Sequence, residues 1–544
     1  MTKSMRARTK AFLVGLALCL SVPASFFGSS ALAADPLPAS ITLGKKLGGV
    51  AVNNDTHEAL VLSEEPARLH RIKLENRSVA ALNLPEEAEV LAVDEKRNLA
   101  LVAIEDKKLA FVDLAASQLL PETVSFEHEI EAIAVHGELG IAVVLEDEGD
   151  TVAFVDIAKR QSLVRLTLKG KLEGVAIHRD RQKAYVVSAD GSKLAVIDLK
   201  TRSLESEVSV SKHARHIVVD EKLDLAAVAN KEKKRIEVVD LKTLQVVQTH
   251  DNLPGQPYAL ALNPDTHMVV VATKEAHGLS LLDLEAKKLT PSYANLPEKP
   301  ESVAVSVRYN LAVVTVHDSN EVRFIELPNP VPVLKEIVPP DVTVPAPAFA
   351  MMAVGEHFVD ASKVYLDGKP LTTRWKDPDH LEADIPADIL KTAGLHAVKV
   401  VTPAPAGGES ATLTFTAKNP VPVLTAVNPV EVFAKKGNQA ITLTGRQFLS
   451  SSEVFFGAQK LVATYVNDTR LTAVIPGTLL LESGVVPITV FNPGPGGGSS
   501  GFINLTVRKA GPSISAFTPK EGPVGTTVTI TGDNFDALSP GSNR

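Results

Sequence analysis

The chain has one cysteine, Cys19, and one tryptophan, Trp375, among 544 residues. Cys19 lies in an N-terminal segment that we expect to be removed, so the remaining chain would hold neither disulfides nor thiolate chemistry. Aromatic residues make up only 5% of the chain, too few for the base-stacking surfaces of single-strand binders. With a single tryptophan, the chain also has too few indole rings for a site that stacks sugars on them. A large hydrophobic core has to supply the stability.

Long apolar runs are also missing, since no stretch after residue 33 reaches the roughly 18 uninterrupted apolar residues that a spanning helix needs. Residues 1–33 carry four basic side chains, then the apolar run 11–20, then small residues ending in Ala31-Leu32-Ala33. This order is typical of a secretory signal peptide. We therefore predict an exported protein, periplasmic, cell-surface or extracellular, with no transmembrane segment after cleavage.

An excess of positive charge is absent too. The formal net charge is −8, and removal of the four basic residues of the leader takes it to −12. Because nucleic-acid binding needs a basic face that neutralises phosphates, this balance argues against a nucleic-acid partner.

What the chain does have is a repeat of about 42 residues between positions 48 and 327. A short apolar run recurs seven times, at residues 50–52, 91–93, 133–135, 175–177, 217–219, 260–262 and 303–305. A second marker such as Val196-Ile197-Asp198-Leu199 follows in step, and each repeat divides into four short β-strand patterns without a helical period. Four strands in such a unit predict the blades of a propeller packed around an axis, with inner strands that are apolar on both faces and a fourth strand that is half exposed.

The seventh repeat stops after three strands, at Leu327, whereas residues 40–47 resemble the outer strand of other repeats. We predict that this N-terminal strand completes the seventh blade and removes an unpaired edge. Residues 34–327 would then form a seven-bladed β-propeller. The repeat markers resemble those of the YVTN family of seven-bladed propellers, a likeness that implies architecture and says little about function.

A second repeat begins at residue 328, with a period of 90. Asn329-Pro330-Val331-Pro332 returns as Asn419-Pro420-Val421-Pro422, and the Gly-x-x-Phe motif of Gly355 to Phe358 returns at 445–448 and 532–535. Short strands between Pro- and Gly-rich turns predict immunoglobulin-like β-sandwiches. The copies resemble IPT/TIG domains. The repeat predicts one domain at 328–418, a second at 419–509, and the start of a third at 510–544. We expect these domains to belong to a longer array.

Propellers place ligands at the mouth of the central channel, so we compared the residue at one fixed position before each innermost strand. That position holds Gly48, Glu89, Glu131, Glu173, Arg215, Tyr258 and Glu301. The neighbouring loops add further acidic residues, namely Glu64, Glu65, Glu105, Asp106, Glu146, Asp147, Glu148, Asp150 and Asp318, against Lys231, Lys233 and Lys234. We predict a binding site at the channel mouth formed by Glu89, Glu131, Glu173, Arg215, Tyr258 and Glu301, either for a divalent cation or for a cationic partner. The alternative is that these residues are solvated loop charges around a wet channel and bind no ligand.

Other polar positions favour structural roles. Asp113, Asp156, Asp198, Asp240 and Asp283 each end a strand before a turn, where a carboxylate accepts backbone N–H bonds. His213 and His216 are close in sequence but lack further ligands for a metal. Nucleophile-elbow, phosphate-loop and zinc motifs are all missing, so no catalytic residue is assigned.

These observations favour a non-enzymatic binding or adhesion scaffold, with the propeller as recognition platform and the IPT/TIG array as spacer. Its partner would be a surface or periplasmic protein, or a polysaccharide. A lactonase-like hydrolase acting at the acidic mouth and a purely architectural part of a larger surface protein stay open.

Overall fold

A computed structural model describes residues 37–104, 107–147, 150–316 and 318–535. The predicted signal peptide, residues 1–33, lies outside them. The described part is almost entirely β-structure, with one 3₁₀ turn at Gly477–Leu479. None of its helical segments has the length and apolar character of a membrane span. The predicted all-β class, with a propeller followed by immunoglobulin-like sandwiches, is confirmed.

The propeller region consists of 28 strands in the part of the chain that the structure describes. In chain order they are β1 (Ser40–Thr42), β2 (Lys45–Asn53), β3 (Glu58–Glu65), β4 (Arg68–Lys73), β5 (Val79–Asn83), β6 (Ala88–Asp94), β7 (Leu99–Ile104), β8 (Lys108–Asp113), β9 (Gln118–Ser125), β10 (Ile130–His136), β11 (Ile141–Glu146), β12 (Thr151–Asp156), β13 (Gln161–Thr167), β14 (Leu172–His178), β15 (Lys183–Ser188), β16 (Lys193–Asp198), β17 (Ser203–Ser209), β18 (Ala214–Asp220), β19 (Leu225–Asn230), β20 (Arg235–Asp240), β21 (Gln245–His250), β22 (Pro257–Asn263), β23 (Met268–Thr273), β24 (Gly278–Asp283), β25 (Lys288–Asn295), β26 (Pro300–Ser306), β27 (Leu311–Val316) and β28 (Glu321–Glu326).

These strands form four-stranded antiparallel sheets arranged in a ring. Six sheets take four consecutive strands each, from β2–β5 to β22–β25, and the seventh has the order β1-β28-β27-β26. The first strand of each complete sheet contacts the first strand of the next, from β2 and β6 onward to β22 and β26, and β26 contacts β2. The ring of innermost strands is therefore closed.

The N-terminal strand is shorter than the predicted segment 40–47. Only Ser40–Thr42 pairs with β28, opposite Arg323, Val322 and Glu321. Residues Lys45 to Leu47 already belong to β2, where Leu47 is fully buried and faces Ser63. The chain crosses between the two sheets at Gly44, where an added Cβ would lie 2.9 Å from Ser63 Oγ. The N-terminal strand thus has three residues, and the Leu43 N–H beyond it still donates to the Asn320 carbonyl at 3.1 Å.

Burial within a blade follows the prediction at the second and third strands and departs from it at the innermost strand. The second and third strands, such as β7 and β8, are the ones that are apolar and buried on both faces. Innermost strands such as β6 and β10 are half-buried over most of their length. We attribute this difference to the central channel, because an innermost strand has a neighbouring blade on either side but open space toward the axis.

The predicted turn-capping role of the repeated aspartates is confirmed. Asp198 Oδ1 accepts the backbone N–H groups of Lys200 and Thr201. Asp240 Oδ1 does the same with Lys242 and Thr243, at 2.8 Å each. Corresponding bonds are made by Asp113, Asp156 and Asp283.

Buried polar side chains join neighbouring blades at the end of several innermost strands, on the side away from the mouth. Asn53 donates to Asn98, and Asn263 donates to Asn310, across two of these seams. At another, the fully buried Asp220 lies 2.7 Å from His267 Nδ1. The bond to Asp220 raises the pKa of His267. Directional bonds of this kind fix the angle between blades as well as their contact.

Two immunoglobulin-like sandwiches follow the propeller. The first contains β29 (Val333–Val338), β30 (Asp341–Thr343), β31 (Phe349–Glu356), β32 (Lys363–Leu366), β33 (Lys369–Pro370), β34 (Thr373–Asp377), β35 (His380–Ile385), β36 (Gly394–Thr402), β37 (Gly408–Glu409) and β38 (Leu413–Lys418). The second contains β39 (Val423–Asn428), β40 (Glu431–Phe433), β41 (Gln439–Arg446), β42 (Glu453–Phe456), β43 (Gln459–Asn467), β44 (Arg470–Ile475), β45 (Gly484–Asn492), β46 (Gly498–Ser499) and β47 (Ile503–Arg508).

The two sandwiches share one strand order. The path β29-β31-β35-β34 corresponds to β39-β41-β44-β43, and β30 and β40 pair in parallel with the last long strand of their modules. The phenylalanine of each Gly-x-x-Phe motif, Phe358 and Phe448, lies in the buried core. Beyond them, β48 (Ser513–Thr518) and β49 (Thr529–Asp533) form a two-stranded sheet.

The first module also contacts the propeller. Arg308, in the turn after β26, forms an ion pair of 3.1 Å with Asp360. The same guanidinium lies 5.7 Å from the ring centre of Trp375. Asn310 donates to Asn329 at the start of the linking segment.

The seam at Asp220 gives a stability test. Asp220 and Asp240 both accept two backbone N–H bonds in a turn, but only Asp220 also binds a histidine of the next blade. We expect Asp220→Ala to lower the free energy of unfolding by about 3–5 kcal/mol, the usual effect of breaking a buried pair. Asp240→Ala should cost about 1 kcal/mol.

Urea unfolding of the two variants measures the difference. Charged His267 contributes fully to the free energy of unfolding below its unfolded pKa, and this contribution is lost as pH rises through its raised folded pKa. The difference in free energy of unfolding between the two variants should therefore become smaller at alkaline pH. Equal losses in both variants at pH 6 would show that the inter-blade bond adds nothing.

Candidate functional site

Every innermost strand carries a β-bulge at its first residues, and the fixed position identified in the sequence coincides with that bulge. The register of pairing with the second strand skips Glu131, Glu173, Arg215, Tyr258 and Glu301, and it skips Glu89 together with Val90 and Gly48 together with Gly49. A bulge leaves its extra residue unpaired and re-aims that side chain. The repeat therefore delivers seven such residues to one end of the ring.

These residues converge on a cavity of about 320 Å³ at the mouth of the channel. Its walls include five of the six predicted site residues, Glu89, Glu131, Arg215, Tyr258 and Glu301. Glu173 is not part of the wall but lies against Arg215 from the adjacent blade. All six predicted residues thus belong to one connected group.

Arg215 lies between two carboxylates of neighbouring blades. Its guanidinium is 3.9 Å from Glu131 Oε1 and 3.8 Å from Glu173 Oε2. Both distances fit ion pairing but exceed hydrogen-bond length. Its Nε is buried and donates no hydrogen bond among the described residues. At Gly174, an added Cβ would lie 2.5 Å from the Arg215 carbonyl, so this glycine permits the close contact of β14 with β18.

Tyr258 lies between two cationic groups. The Arg215 guanidinium is 4.8 Å from the ring centre and the Lys274 ammonium 3.5 Å, so each can interact with the π-system. The phenol donates a 2.9 Å hydrogen bond to Glu301, which also pairs with Lys274 at 3.3 Å. Burial and the nearby Glu301 raise the pKa of Tyr258, which keeps the phenol protonated.

Glu131 has the most altered acidity in the group. Burial, reinforced by repulsion from Glu173, raises the pKa of Glu131 to about 7, against an ordinary value of 4.5. Arg215 and Lys171 act in the opposite direction but do not cancel the effect. A carboxyl group of this kind exchanges its proton near neutral pH, which is common at functional sites.

His216 is a neutral polar group in the same cavity. Burial, with a smaller effect from the adjacent Arg215, lowers the pKa of His216 to about 3. Its Nε2 lies out of contact with solvent and makes no hydrogen bond to the described residues. The ring lies 6.2 Å from that of Tyr258.

The mouth is acidic on balance. Among the described residues, six carboxylates line the cavity, from Glu64, Glu89, Glu129, Glu131, Asp147 and Glu301, against one guanidinium from Arg215. Lysines at its border neutralise some of them, since Lys46 pairs with Glu64 and Lys171 with Asp147, at 3.1 and 2.9 Å. The remaining excess is negative, which favours a positively charged ligand.

Not every predicted loop acid contributes. Glu146 is buried and accepts the backbone N–H groups of Glu127 and His128, so its role is to hold a loop. Glu105, Asp106 and Glu148 lie outside the described residues. Lys234 of the predicted lysine cluster pairs with Glu275.

A compact metal site is not formed by the residues that the structure describes, since no three His, Cys, Asp or Glu side chains gather around one point. Arg215 occupies the region where Glu131 and Glu173 approach each other. His213 lies 3.1 Å from Glu232, and His216 turns to Tyr258, so the two histidines do not act together.

Sequence reasoning missed Lys171 and Lys274, and it considered His216 only as one of two neighbouring loop histidines. His216 directly follows the bulge residue Arg215, and Lys171 precedes the bulge residue Glu173 by two positions. Lys274 follows the second strand of its blade, in a loop class already predicted to border the mouth. Their places in the repeat could have pointed to them.

Comparison with known proteins supports the sandwich assignment. The family model described as the IPT/TIG domain matches residues 422–507 and 512–543. No curated protein matches the chain. Similar solved structures include the β-propeller domain of Cps50 (Swd1) from Myceliophteria thermophila, at 14% identity and a TM-score of 0.48, covering 54% of this chain and 99% of that one. Hydrazine synthase of Kuenenia stuttgartiensis matches at 14% identity and a TM-score of 0.45, covering 52% and 97%.

The acidity of Glu131 predicts a pH-dependent stability difference. The unfolded chain ionises this group near 4.5 and the folded chain near 7, so the folded state holds the extra proton between these values. Wild-type stability should therefore fall as pH rises through that window. Glu131→Gln lacks this loss. Between pH 4 and pH 8, its free energy of unfolding should therefore rise by about 1–3 kcal/mol relative to that of the wild type. Denaturant unfolding at both pH values measures the gain, and a constant difference would contradict it.

Proposed function

We propose that this chain is an exported, non-enzymatic binding scaffold whose propeller mouth recognises a positively charged group of a partner. The propeller would be seven-bladed and of the YVTN type, with IPT/TIG modules, including the one at 328–418, acting as a spacer. The pairing of a propeller with TIG domains is that of a scaffold or binding module. Its periplasmic or surface location is part of the proposal and follows from the signal-peptide pattern.

The observation that carries the proposal is the negative excess around the mouth cavity. Arg215 illustrates which chemistry fits there, because a guanidinium of the protein itself lies between two carboxylates and against an aromatic ring. The lysine and arginine side chains of a protein partner carry cationic groups of this kind, an ammonium and a guanidinium. This favours a surface or periplasmic protein as the partner over a polysaccharide, since neutral and acidic sugars lack a cationic group.

A hydrolase acting at the mouth is a second candidate, favoured by one observation. A carboxyl group with a pKa of about 7 suits general acid–base catalysis. Lactone hydrolysis by the protein that is abolished in Glu131→Gln, with stability retained, would support this alternative over simple binding.

Peptide binding tests the proposal. We expect the chain from residue 39 to 544 to bind a fluorescent tetralysine peptide, and we expect binding to weaken with added salt, because screening reduces attraction between charges. Tetraglutamate should not bind. Fluorescence anisotropy at several salt concentrations measures both peptides.

The variant Glu131→Lys places a repelling charge in the cavity. Its affinity for tetralysine should fall at least tenfold, about 1.4 kcal/mol. The matched control is Glu122→Lys, on the outer strand β9, where Glu122 pairs with Arg160. Glu129→Lys provides a second mouth variant if Glu131→Lys unfolds. Equal affinity in mouth and outer-strand variants would contradict a mouth site.

A further inference from the structure

We infer that the second sandwich carries a self-association surface, through which two copies of this chain pair their β43 strands antiparallel about a twofold axis at Thr464. The residues concerned are 462–467, which we call the open edge. They lie on the IPT/TIG array and not at the propeller mouth, so this surface goes beyond the proposed function and does not depend on it.

Strand β43 changes its neighbour along its length. Residues 459–461 pair with β42, whereas the open edge pairs with β44. Among the described residues, no strand pairs with the other side of the open edge. Every second backbone N–H and C=O group of this stretch therefore points away from the sheet, where another extended strand can bond to it.

The side chains of the open edge are apolar and exposed. Val462 is 80% exposed and Val466 50%, and Val474, opposite Val462 on β44, is 41% exposed. From Leu461 to Asn467 the strand carries no charged residue, and its valines, threonine and tyrosine all favour β-structure. An exposed, uncharged edge strand of this composition is a template for pairing with another chain.

The corresponding edge of the first sandwich is protected by charge. The 90-residue period aligns it with β34, where Arg374 pairs with Glu382 and Asp384, at 3.0 and 2.5 Å. Lys376 pairs with Glu382 as well. The same four positions of the second sandwich are uncharged, namely Thr464, Val466, Thr472 and Val474. Both edge strands skip one residue in register, at Lys376 and at Val466, so charge and not the bulge distinguishes them.

The pattern of the open edge fits a second copy of itself. In an antiparallel pair, side chains of one face lie opposite side chains of the same face. A twofold axis at Thr464 sets this residue opposite its own copy and sets Val462 opposite Val466 of the other chain, twice. Pairs of β-branched residues across two strands stabilise a sheet.

Charge complementarity also favours a second copy. The same register brings Lys460 of one chain toward Asp468 of the other, at both ends of the paired strands. Within its own chain Lys460 is exposed and pairs with Glu453, also at the surface. In the first sandwich, the equivalent register would set Arg374 directly opposite its own copy, and like charges in that position are destabilising. The second sandwich is therefore the one that can pair with itself.

A single introduced cysteine tests the pairing and its register. The chain 39–544 contains no cysteine, so Thr464→Cys would add one thiol, on the axis. Opposite Cα atoms of antiparallel strands lie about 4.5–5.5 Å apart, within the range of a disulfide. We expect a covalent dimer after mild oxidation, read by non-reducing electrophoresis.

Val462→Cys is the matched control on the same strand. Its own copy would lie roughly 14 Å farther along the partner strand, beyond the reach of a disulfide. This variant should therefore stay monomeric on the same gel. Equal cross-linking of the two variants would overturn the inference, because it would show association without this register.

Sedimentation equilibrium measures association without cross-linking. One strand from each copy makes a small interface, so we expect the chain 39–544 to pass from monomer to dimer between about 1 and 100 µM. Thr464→Arg places like charges on the axis and should raise the dimer dissociation constant roughly tenfold or more. Val466→Lys copies the charge of the first sandwich and provides a second variant if Thr464→Arg unfolds.

The control for these charges is Thr372→Arg, at an exposed position on the corresponding edge of the first sandwich. It should dimerise as the wild type does. A dimer that both Thr464→Arg and Val466→Lys leave intact overturns the inference, because its contact lies elsewhere. A monomer at every concentration, with no cross-link in Thr464→Cys, overturns it as well and leaves the open edge to a strand of another protein. Neither result affects the proposed function, since no mouth residue takes part.

Discussion

Pairing of the first strand with the last one closes the ring on which every other feature of the propeller depends. β1 bonds to β28 across Ser40–Thr42, and Phe324 donates to the Ala39 carbonyl at 2.9 Å. At the same seam, the hydroxyl of Thr315 on β27 donates to the Gly48 carbonyl of the innermost strand β2. Closure covers an edge that would otherwise be open to pairing with other chains, and it brings the bulges of the first and last blades to the same cavity.

The bulges of the innermost strands place one side chain of each repeat at the channel mouth, where these side chains form the candidate site. A regular innermost strand would alternate its side chains between the two neighbouring blades, whereas a bulge leaves one residue out of this alternation. The same position can therefore hold Glu131, Arg215 or Tyr258 without affecting the core, which is formed mainly by the second and third strands. This separation lets the mouth acquire strong electrostatic features, including a carboxyl group that retains its proton near neutral pH, while polar seams at the other end fix the blades.

The repeat made much of this predictable. The positions of the innermost strands, the turn-capping aspartates and the clustering of Glu89, Glu131 and Arg215 all follow from a 42-residue period, because equivalent positions occupy equivalent places around an axis. Other features depend on loop conformation, which the period does not specify. Glu146 captures backbone N–H groups of its own loop instead of facing the channel, and the neutral state of His216 follows from burial. The N-terminal strand likewise ends at Thr42 after three residues, which residue type alone does not reveal.

A crystal structure of residues 39–544 grown with butylguanidinium at pH 8.5 is the most direct test of the account. We predict one ligand in the mouth cavity, with its cationic group directed at Glu131 and the neighbouring carboxylates, and with the blades in the same arrangement as in the free protein. A cavity filled only by water while the ligand occupies other sites would contradict the account. So would a rearranged ring in which the bulges no longer meet.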